Sequence, residues 1–246
     1  MKEYTAFAKV YDVFMTNIPY DKWSELIDAY LQKNSVGNRL LELGCGTGNF
    51  TFLMAEKGYN IMGIDCSKEM IDAAVKKNKK MTAKSIFEVQ DMRVLEIEDK
   101  FDCVLSVCDS MNYMLDEFDL SSVFQGTAGV LPSNGLFIFD MKTEVFYESL
   151  GESTFSDETE NGDYVWNNFY DKKNRNNQYE LNLYIRKKNN LYIKHTEEHL
   201  QHVFTPQEIQ KCAAENGFEI KEVLGMDLCS PADYNAERVY YILKKK

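Results

Sequence analysis

Residues 40–50 read LLELGCGTGNF: an apolar run, three glycines at alternate positions, then the start of a helical pattern. A glycine turn that joins a strand to a helix lets backbone N–H groups and the helix N-terminus meet a ligand with no Cβ between them. Such a turn also dictates its surroundings, because the strand that enters it is buried on both faces and needs parallel neighbours and covering helices. The spacing of Gly44, Gly46 and Gly48 is G-x-G-x-G, and Asn49 stands where the dinucleotide pattern G-x-G-x-x-G places its third glycine.

From Arg39 onward the chain supplies those neighbours. RLLEL is followed by a helix expected over 49–57 and ended by Gly58, and NIMGI by a helix over 68–80. SIFEV, FDCVLSV, a helix near 119–130 and LFIFDM come next. Alternating strands and helices predict an α/β, Rossmann-like three-layer sandwich, with ligands collecting beyond the carboxyl ends of the strands. Two closing apolar runs, FEIKEVLGM and RVYYILKK, extend the sheet to seven mixed strands, the last antiparallel. With 44% hydrophobic residues among 246, the chain has apolar material for one such domain carrying an insertion.

The texture changes after about residue 144. GDYVWNNFYD, QYELNLYIRK and NLYIKHTEEHLQHVF alternate with period two, the last two separated by a KKNN turn, and predict an antiparallel β insertion over 144–203. Thr205, Pro206 and Glu208 then mark a helix start as N-cap, first-turn proline and capping-box glutamate, and Gly217 ends that helix. At the other end of the chain, Tyr4, Phe7, Tyr11 and Phe14 recur at helical spacing, as do Trp23, Leu26, Ile27, Tyr30 and Leu31. The organisation expected is a helical segment over 1–36, a core formed by 37–143 and 204–246, and the insertion between the two parts of the core.

Asp65 closes the second strand in IMGID, where a carboxylate accepts hydrogen bonds from both hydroxyls of a ribose. The ligand expected at the glycine turn is therefore a nucleoside. Asp65 also stands beside Ser67 at a helix start, a structural duty it can serve at the same time.

LLELGCGTGNF, GIDCSKEMI and VQDMRVL, in that order, resemble the cofactor motifs of class I S-adenosylmethionine-dependent methyltransferases; the likeness runs over residues 38–143 and continues through the terminal strand pair. The resemblance implies S-adenosyl-L-methionine as cofactor and S-adenosyl-L-homocysteine as product. It implies that Glu42 and the turn Gly44, Cys45, Gly46, Thr47 and Gly48 lie along the methionine part, that Asp65 holds the ribose, and that Cys66 and Met70 flank the adenine. By the same resemblance Gln90, Asp91 and Met92 of QDMR meet the adenine edge and face, while Cys108, Asp109 and Ser110 close over the sulfonium. The donor is already activated, so aligning nucleophile, methyl carbon and sulfur is the main task, worth on the order of 7–11 kcal/mol. Neither a metal nor a covalent nucleophile is required.

FAKVYDVFM and PYDKW resemble the N-terminal helices of small-molecule N-methyltransferases, the glycine and amino-sugar enzymes among them, in which this segment lids the cofactor. That makes Tyr11, Tyr20 and Trp23 candidate contacts to the methionine end or to the acceptor. EEHLQHVFTPQEIQ resembles the return from the β insertion in amino-sugar N-methyltransferases and implies an acceptor pocket roofed by the insertion. The acceptor so implied is a small molecule, methylated at nitrogen by family analogy. His195, His199 and His202 fall in this return, and histidine titrates where a general base must. Strand alternation puts His195 and His199 on one face and His202 on the other, so cross-strand or surface roles are expected for them. Tyr113 and Asp109 in CDSMNYM, after the fourth strand, are the candidate catalytic residues; Tyr113 stands where the amino-sugar enzymes tend to carry a histidine.

Other functions fit the sequence less well. A formal charge of −11, and CDSMNYM in place of an Asn-Pro-Pro-Tyr type sequence, argue against a nucleic-acid methyltransferase, transfer RNA being the least excluded substrate. YIRKK has the Tyr-x-x-x-Lys spacing of one group of NAD-dependent dehydrogenases, but four residues span roughly 13 Å along a strand. Tyr184 and Lys188 are accordingly expected in a strand and a turn. A noncatalytic cofactor-binding protein would carry the same motifs, and turnover is what separates it from an enzyme. No stretch is apolar enough for a membrane span and no signal-peptide pattern opens the chain, so a cytoplasmic location is expected, with the six scattered cysteines as free thiols.

Overall fold

The computed structural model describes residues 7–159 and 162–246; Tyr4 lies outside them. After a 3-10 turn at Phe7–Lys9 come α1 (Tyr11–Phe14) and α2 (Tyr20–Lys33). The core then runs β1 (Arg39–Leu43), α3 (Asn49–Glu56), β2 (Asn60–Asp65), α4 (Lys68–Asn78), β3 (Ile86–Val89), β4 (Cys103–Ser106), α5 (Glu117–Val130) and β5 (Leu136–Lys142). A helix α6 (Glu144–Leu150) leads to β6 (Ser153–Thr159), β7 (Gly162–Asp171), β8 (Asn176–Arg186) and β9 (Tyr192–His202). The chain returns through α7 (Pro206–Glu215), β10 (Phe218–Leu224) and β11 (Arg238–Lys245).

The seven-stranded sheet has the order β10-β11-β5-β4-β1-β2-β3. β1 to β5 are parallel, and β11 runs antiparallel to both β5 and β10. Pleating sends alternate residues of the central strands to opposite layers. Ile138, Tyr240 and Ile242 pack with Ile27 and Leu31 of α2 and Phe50 and Met54 of α3. Phe137, Phe139 and Tyr241 pack on the other side with Phe124 of α5 and Ile209 of α7. β1 pairs with β2 on one side and β4 on the other, so the chain reverses its direction of winding there and leaves a crevice at the carboxyl ends.

β6 to β9 form a second, separate antiparallel sheet. Three strands are legible in its sequence and four are present. β6, STFSDET, is an edge strand with most of its residues exposed, so it carries no apolar alternation by which to recognise it. α6 likewise lies unpredicted inside 144–203. The expected N-terminal helix is instead a 3-10 turn and a single helical turn, with no side-chain cap on α1. Packing holds that segment: Phe7, Tyr11 and Phe14 lie against Met70 of α4 and Leu181 and Leu183 of β8, between core and second sheet. The capping box at Thr205 and Glu208 is present, and Tyr184 and Lys188 fall in β8 and in a short 3-10 turn. Among the described residues no helix is long and apolar enough to cross a membrane.

Candidate functional site

A cavity of about 800 Å³ opens at the carboxyl ends of the parallel strands, beneath the N-terminal segment and the second sheet. One half is built by the glycine turn. Gly46, at φ +54°, faces open space where a Cβ would meet no atom within 4 Å, and its N–H donates to Asp65 Oδ2 at 2.9 Å. Asp65 Oδ1 accepts from the N–H of Ser67 at 2.8 Å. Burial raises the Asp65 pKa, and these two N–H donors oppose that rise. Glu42, at the end of β1, is 2% exposed and takes a hydrogen bond from the Thr51 hydroxyl. Burial pushes its carboxyl up to about 8, the Asp65 charge adding to the rise and the Thr51 bond opposing it. Cys66, Met70, Gln90, Asp91 and Met92 continue this wall, and the Asp91 carboxylate is held by Arg93 Nη2 at 2.6 Å.

Thr47 and Gly48 depart from the expectation. Neither lines the cavity. Gly48 has φ +82°, and a Cβ there would fall 2.9 Å from the Phe87 ring of β3, so the third glycine is needed for close packing of the turn. Thr47 turns to the N-terminal segment and donates to Asp12 Oδ1 at 2.6 Å. Lys77 of α4 joins that cluster, 2.8 Å from Asp12 Oδ2 and 2.6 Å from Asn49 Oδ1.

The other half is ionic and aromatic. Cys108 and Asp109 follow β4 in successive left-handed conformations (φ +64° and +54°), a strained pair fixed by the bonds around it. Asp109 Oδ1 lies 2.9 Å from Arg238 Nη2, and Oδ2 lies 3.1 Å from Lys142 Nζ and 2.9 Å from Gln201 Nε2. The Asp109 N–H donates to the Asp140 carboxylate at 3.2 Å, and Arg238 binds that same carboxylate from its second nitrogen. Burial alone would raise Asp109, but Lys142 and Arg238 outweigh it and hold the carboxyl below its usual range. Asp109 in turn keeps Lys142 charged despite its burial. Arg238 stacks 5.2 Å over Trp23, and Lys142 lies 4.6 Å from the centre of the Phe146 ring. Tyr20 and Tyr11 close this side of the cavity with their hydroxyls 2.9 Å apart.

Tyr113 also lines the cavity, in the 3-10 turn Ser110–Tyr113 after β4. Its Oη lies 3.2 Å from Nδ1 of His199 on β9. Of the cross-strand or surface roles expected, His202 has the cross-strand one, its Nδ1 meeting Asn176 at 2.7 Å, while His199 is no surface residue. His199 is 2% exposed and turned inward, because the second sheet packs this face of β9 against the turn after β4.

The structure thus brings every expected site residue except Thr47 and Gly48 to one cavity, together with several that sequence reasoning missed. Lys142 and Arg238 lie at strand ends, Gln201, Trp166 and Tyr179 on the second sheet and Phe146 on α6. One signal was available: Asp140 interrupts the apolar run LFIFDM, and a carboxylate inside a buried strand calls for a cation or hydrogen-bond donors nearby.

Comparison with known proteins gives this geometry a context. A family model described as a methyltransferase domain matches residues 40–135. YqeM of Bacillus subtilis (strain 168), a protein assigned as a methyltransferase, is 30% identical over 244 residues, covering 98% of this chain and 97% of its own length. The crystal structure of an S-adenosylmethionine-dependent methyltransferase from Clostridium acetobutylicum ATCC 824 superposes with a TM-score of 0.86 at 27% identity, over 99% of each chain. The sugar N-methyltransferase KedS8 from Streptoalloteichus shares the fold with a TM-score of 0.76 at 19% identity, over 95% of this chain and 92% of its own.

Proposed function

The chain belongs to the class I S-adenosylmethionine-dependent methyltransferases, and from that premise we propose that its cavity takes the cofactor along the glycine turn and a small acceptor, methylated at nitrogen, against the ionic wall. The observation that carries this reading is the pairing of Gly46 and Asp65: an open approach to the backbone beside a carboxylate whose two oxygens each bond one N–H and keep a lone pair for a ribose hydroxyl. The bound cofactor supplies a methyl group already activated on a sulfonium. The protein's share is alignment. Gly46 and Asp65 fix the nucleoside, Met70 and Met92 offer apolar faces for the adenine, and Cys108 to Ser110 position the reacting end.

On the acceptor side, Asp109 remains ionised between Lys142 and Arg238 and acts by orienting a donor group of the acceptor, while Tyr113 reaches the same space. A nitrogen acceptor is favoured by the likeness to KedS8, a sugar N-methyltransferase. A cavity of about 800 Å³ roofed by the N-terminal segment suits a cofactor with a small partner rather than a nucleic-acid strand.

Calorimetric titration with S-adenosylmethionine, S-adenosylhomocysteine and NAD tests the reading. Both sulfur ligands are expected to bind, and Asp65→Ala to weaken them by about 1.5–3 kcal/mol, the worth of hydrogen bonds to a charged group. Binding of NAD alone to folded protein would sink it. A screen of small amines for S-adenosylhomocysteine release, with transfer RNA as the opposing arm, then decides the acceptor class.

A further inference from the structure

We infer that Tyr113, His199 and Glu197 form a relay that takes the proton from the acceptor nitrogen, an inference that rests on the methyltransferase reading of the cavity. Tyr113 faces the cavity, and its Oη lies 3.2 Å from His199 Nδ1. The opposite ring nitrogen, Nε2, lies 3.5 Å from Glu197 Oε2. His199 and Glu197 are 2% and 3% exposed, so neither touches a ligand directly and Tyr113 is their route to one. A carboxylate buried this deeply is costly unless it meets positive charge or donors. An imidazole with one nitrogen toward Tyr113 and the other toward this carboxylate is placed to pass a proton between them.

The step balances without a further reactant. The acceptor nitrogen's lone pair forms a bond to the methyl carbon while the sulfur–carbon bond breaks and leaves its electrons on sulfur. The ammonium so formed loses its N–H proton to Tyr113 Oη as the phenol's own proton passes to His199 Nδ1. The product is a neutral methylated amine, an intact phenol and an imidazolium facing the Glu197 carboxylate. After products leave, the proton returns through Tyr113 to water. Asp109, the other carboxylate of the acceptor wall, is committed to Lys142 and Arg238 and held below the usual carboxylate range, so it is the poorer proton acceptor.

Among the described residues, the groups that face His199 include Glu197 on its own strand, Tyr113 from the turn after β4, and Tyr179, its cross-strand partner on β8, with Lys142 Nζ 5.6 Å from the Tyr179 ring. The N-terminal segment contributes as well, since the Phe7 N–H donates to Glu197 Oε1 at 3.0 Å and the Phe7 ring packs edge-on to Tyr11 and Trp166. Seating that segment over the cavity therefore also sets the Glu197 carboxylate. Tyr113 is the catalytic residue of the relay; His199 and Glu197 are positioning residues that act through it.

Nitrogen-15 spectra of the full-length protein labelled at histidine, with His199 assigned by His199→Gln, test the relay. Tyr113 must donate to Nδ1, so neutral His199 is expected with its proton on Nε2, with and without S-adenosylhomocysteine. For an amine found by the S-adenosylhomocysteine-release screen, Glu197→Gln is expected to lower kcat tenfold or more with KM little changed. A purely structural contact would leave kcat in place in the folded variant. A proton on Nδ1 in the wild-type protein overturns the relay, and so does a kcat changed less than twofold in folded Glu197→Gln. S-adenosylhomocysteine affinity, measured on the same samples, fails separately if the cofactor reading is the part at fault.

Discussion

Two carboxylates set the halves of the cavity apart. Glu42, under the glycine turn, and Asp109, on the acceptor wall, are both buried, yet burial pushes Glu42 up to about 8 while Lys142 and Arg238 hold Asp109 below its usual range. The glycine-turn half is built on backbone donors beside Glu42 and Asp65, both raised by burial at the ends of β1 and β2. The ionic half is a charge-balanced cluster of Asp109, Asp140, Lys142 and Arg238 that must assemble as a unit. The first half should tolerate loss of a charge, and the second should not.

The largest effect expected on that comparison is Arg238→Met. Removing the guanidinium leaves two buried carboxylates facing each other with Lys142 alone, and stranding buried charge in this way costs about 3–5 kcal/mol. For a chain of this size that is a fall of roughly 10 °C in Tm. Thermal unfolding checks it; a Tm within about 2 °C of wild type would show that the cluster is no unit.

Glu42→Gln probes the other half, with the opposite sign. The folded-state pKa of Glu42, about 8, lies above its ordinary 4.5, so between those values the native protein holds a proton that the unfolded chain has lost. Stability from this group is fully present below pH 4.5 and is lost as pH rises toward 8. Glutamine mimics the protonated form, so the variant should overtake the wild type as pH rises, by roughly 3 kcal/mol at pH 7. Urea unfolding at pH 5 and pH 7.5 measures the gap, and parallel pH dependences for the two proteins would refute the assignment.

The same division explains what was legible beforehand. Gly46 and Asp65 are 19 residues apart and sit in consecutive strand–turn–helix units, so local spacing was enough to bring them together. Asp109 and Arg238 are 129 apart, Asp109 and Gln201 92, and Tyr113 and His199 86. Periodicity places Arg238, Gln201 and His199 on strands and Asp109 and Tyr113 just after one, but it does not say which strand ends meet across two sheets. His199 was expected in a cross-strand or surface role and is buried, because alternation gives a face and not what covers it. β6 escaped because an exposed edge strand needs no apolar pattern.

Within the glycine turn, structure separates residues that the motif makes look alike. Gly48→Ala adds a Cβ 2.9 Å from Phe87 at a left-handed position, and overpacking of this kind costs about 1–3 kcal/mol of stability. Gly46→Ala meets no atom within 4 Å of its Cβ, so it carries only the left-handed cost, about 1 kcal/mol. Its main effect should be on cofactor affinity, because the new methyl occupies the open approach. Chemical denaturation and S-adenosylhomocysteine titration of both variants test this; greater destabilisation by Gly46→Ala would reverse the roles given to the two glycines.

The smallest effect concerns the clasp that joins the glycine turn to the N-terminal segment. Asp12 receives Lys77, Thr47 and Asn49, although it and Lys77 are 42% and 29% exposed at the side chain, so water screens the cluster. Burial raises the Asp12 pKa, but the Lys77, Thr47 and Asn49 bonds outweigh it and lower the value from 3.8. The contribution is therefore present above pH 3.8 and is lost as pH falls below it. A half-exposed pair is worth about 0.5 kcal/mol, so Asp12→Asn should quicken S-adenosylhomocysteine release by about two-fold, and the difference should shrink in high salt. Stopped-flow release at low and high ionic strength measures both. An unchanged rate would mean that Phe7, Tyr11 and Phe14 hold the segment by packing alone, and the clasp would then be a consequence of closure rather than a contributor to it.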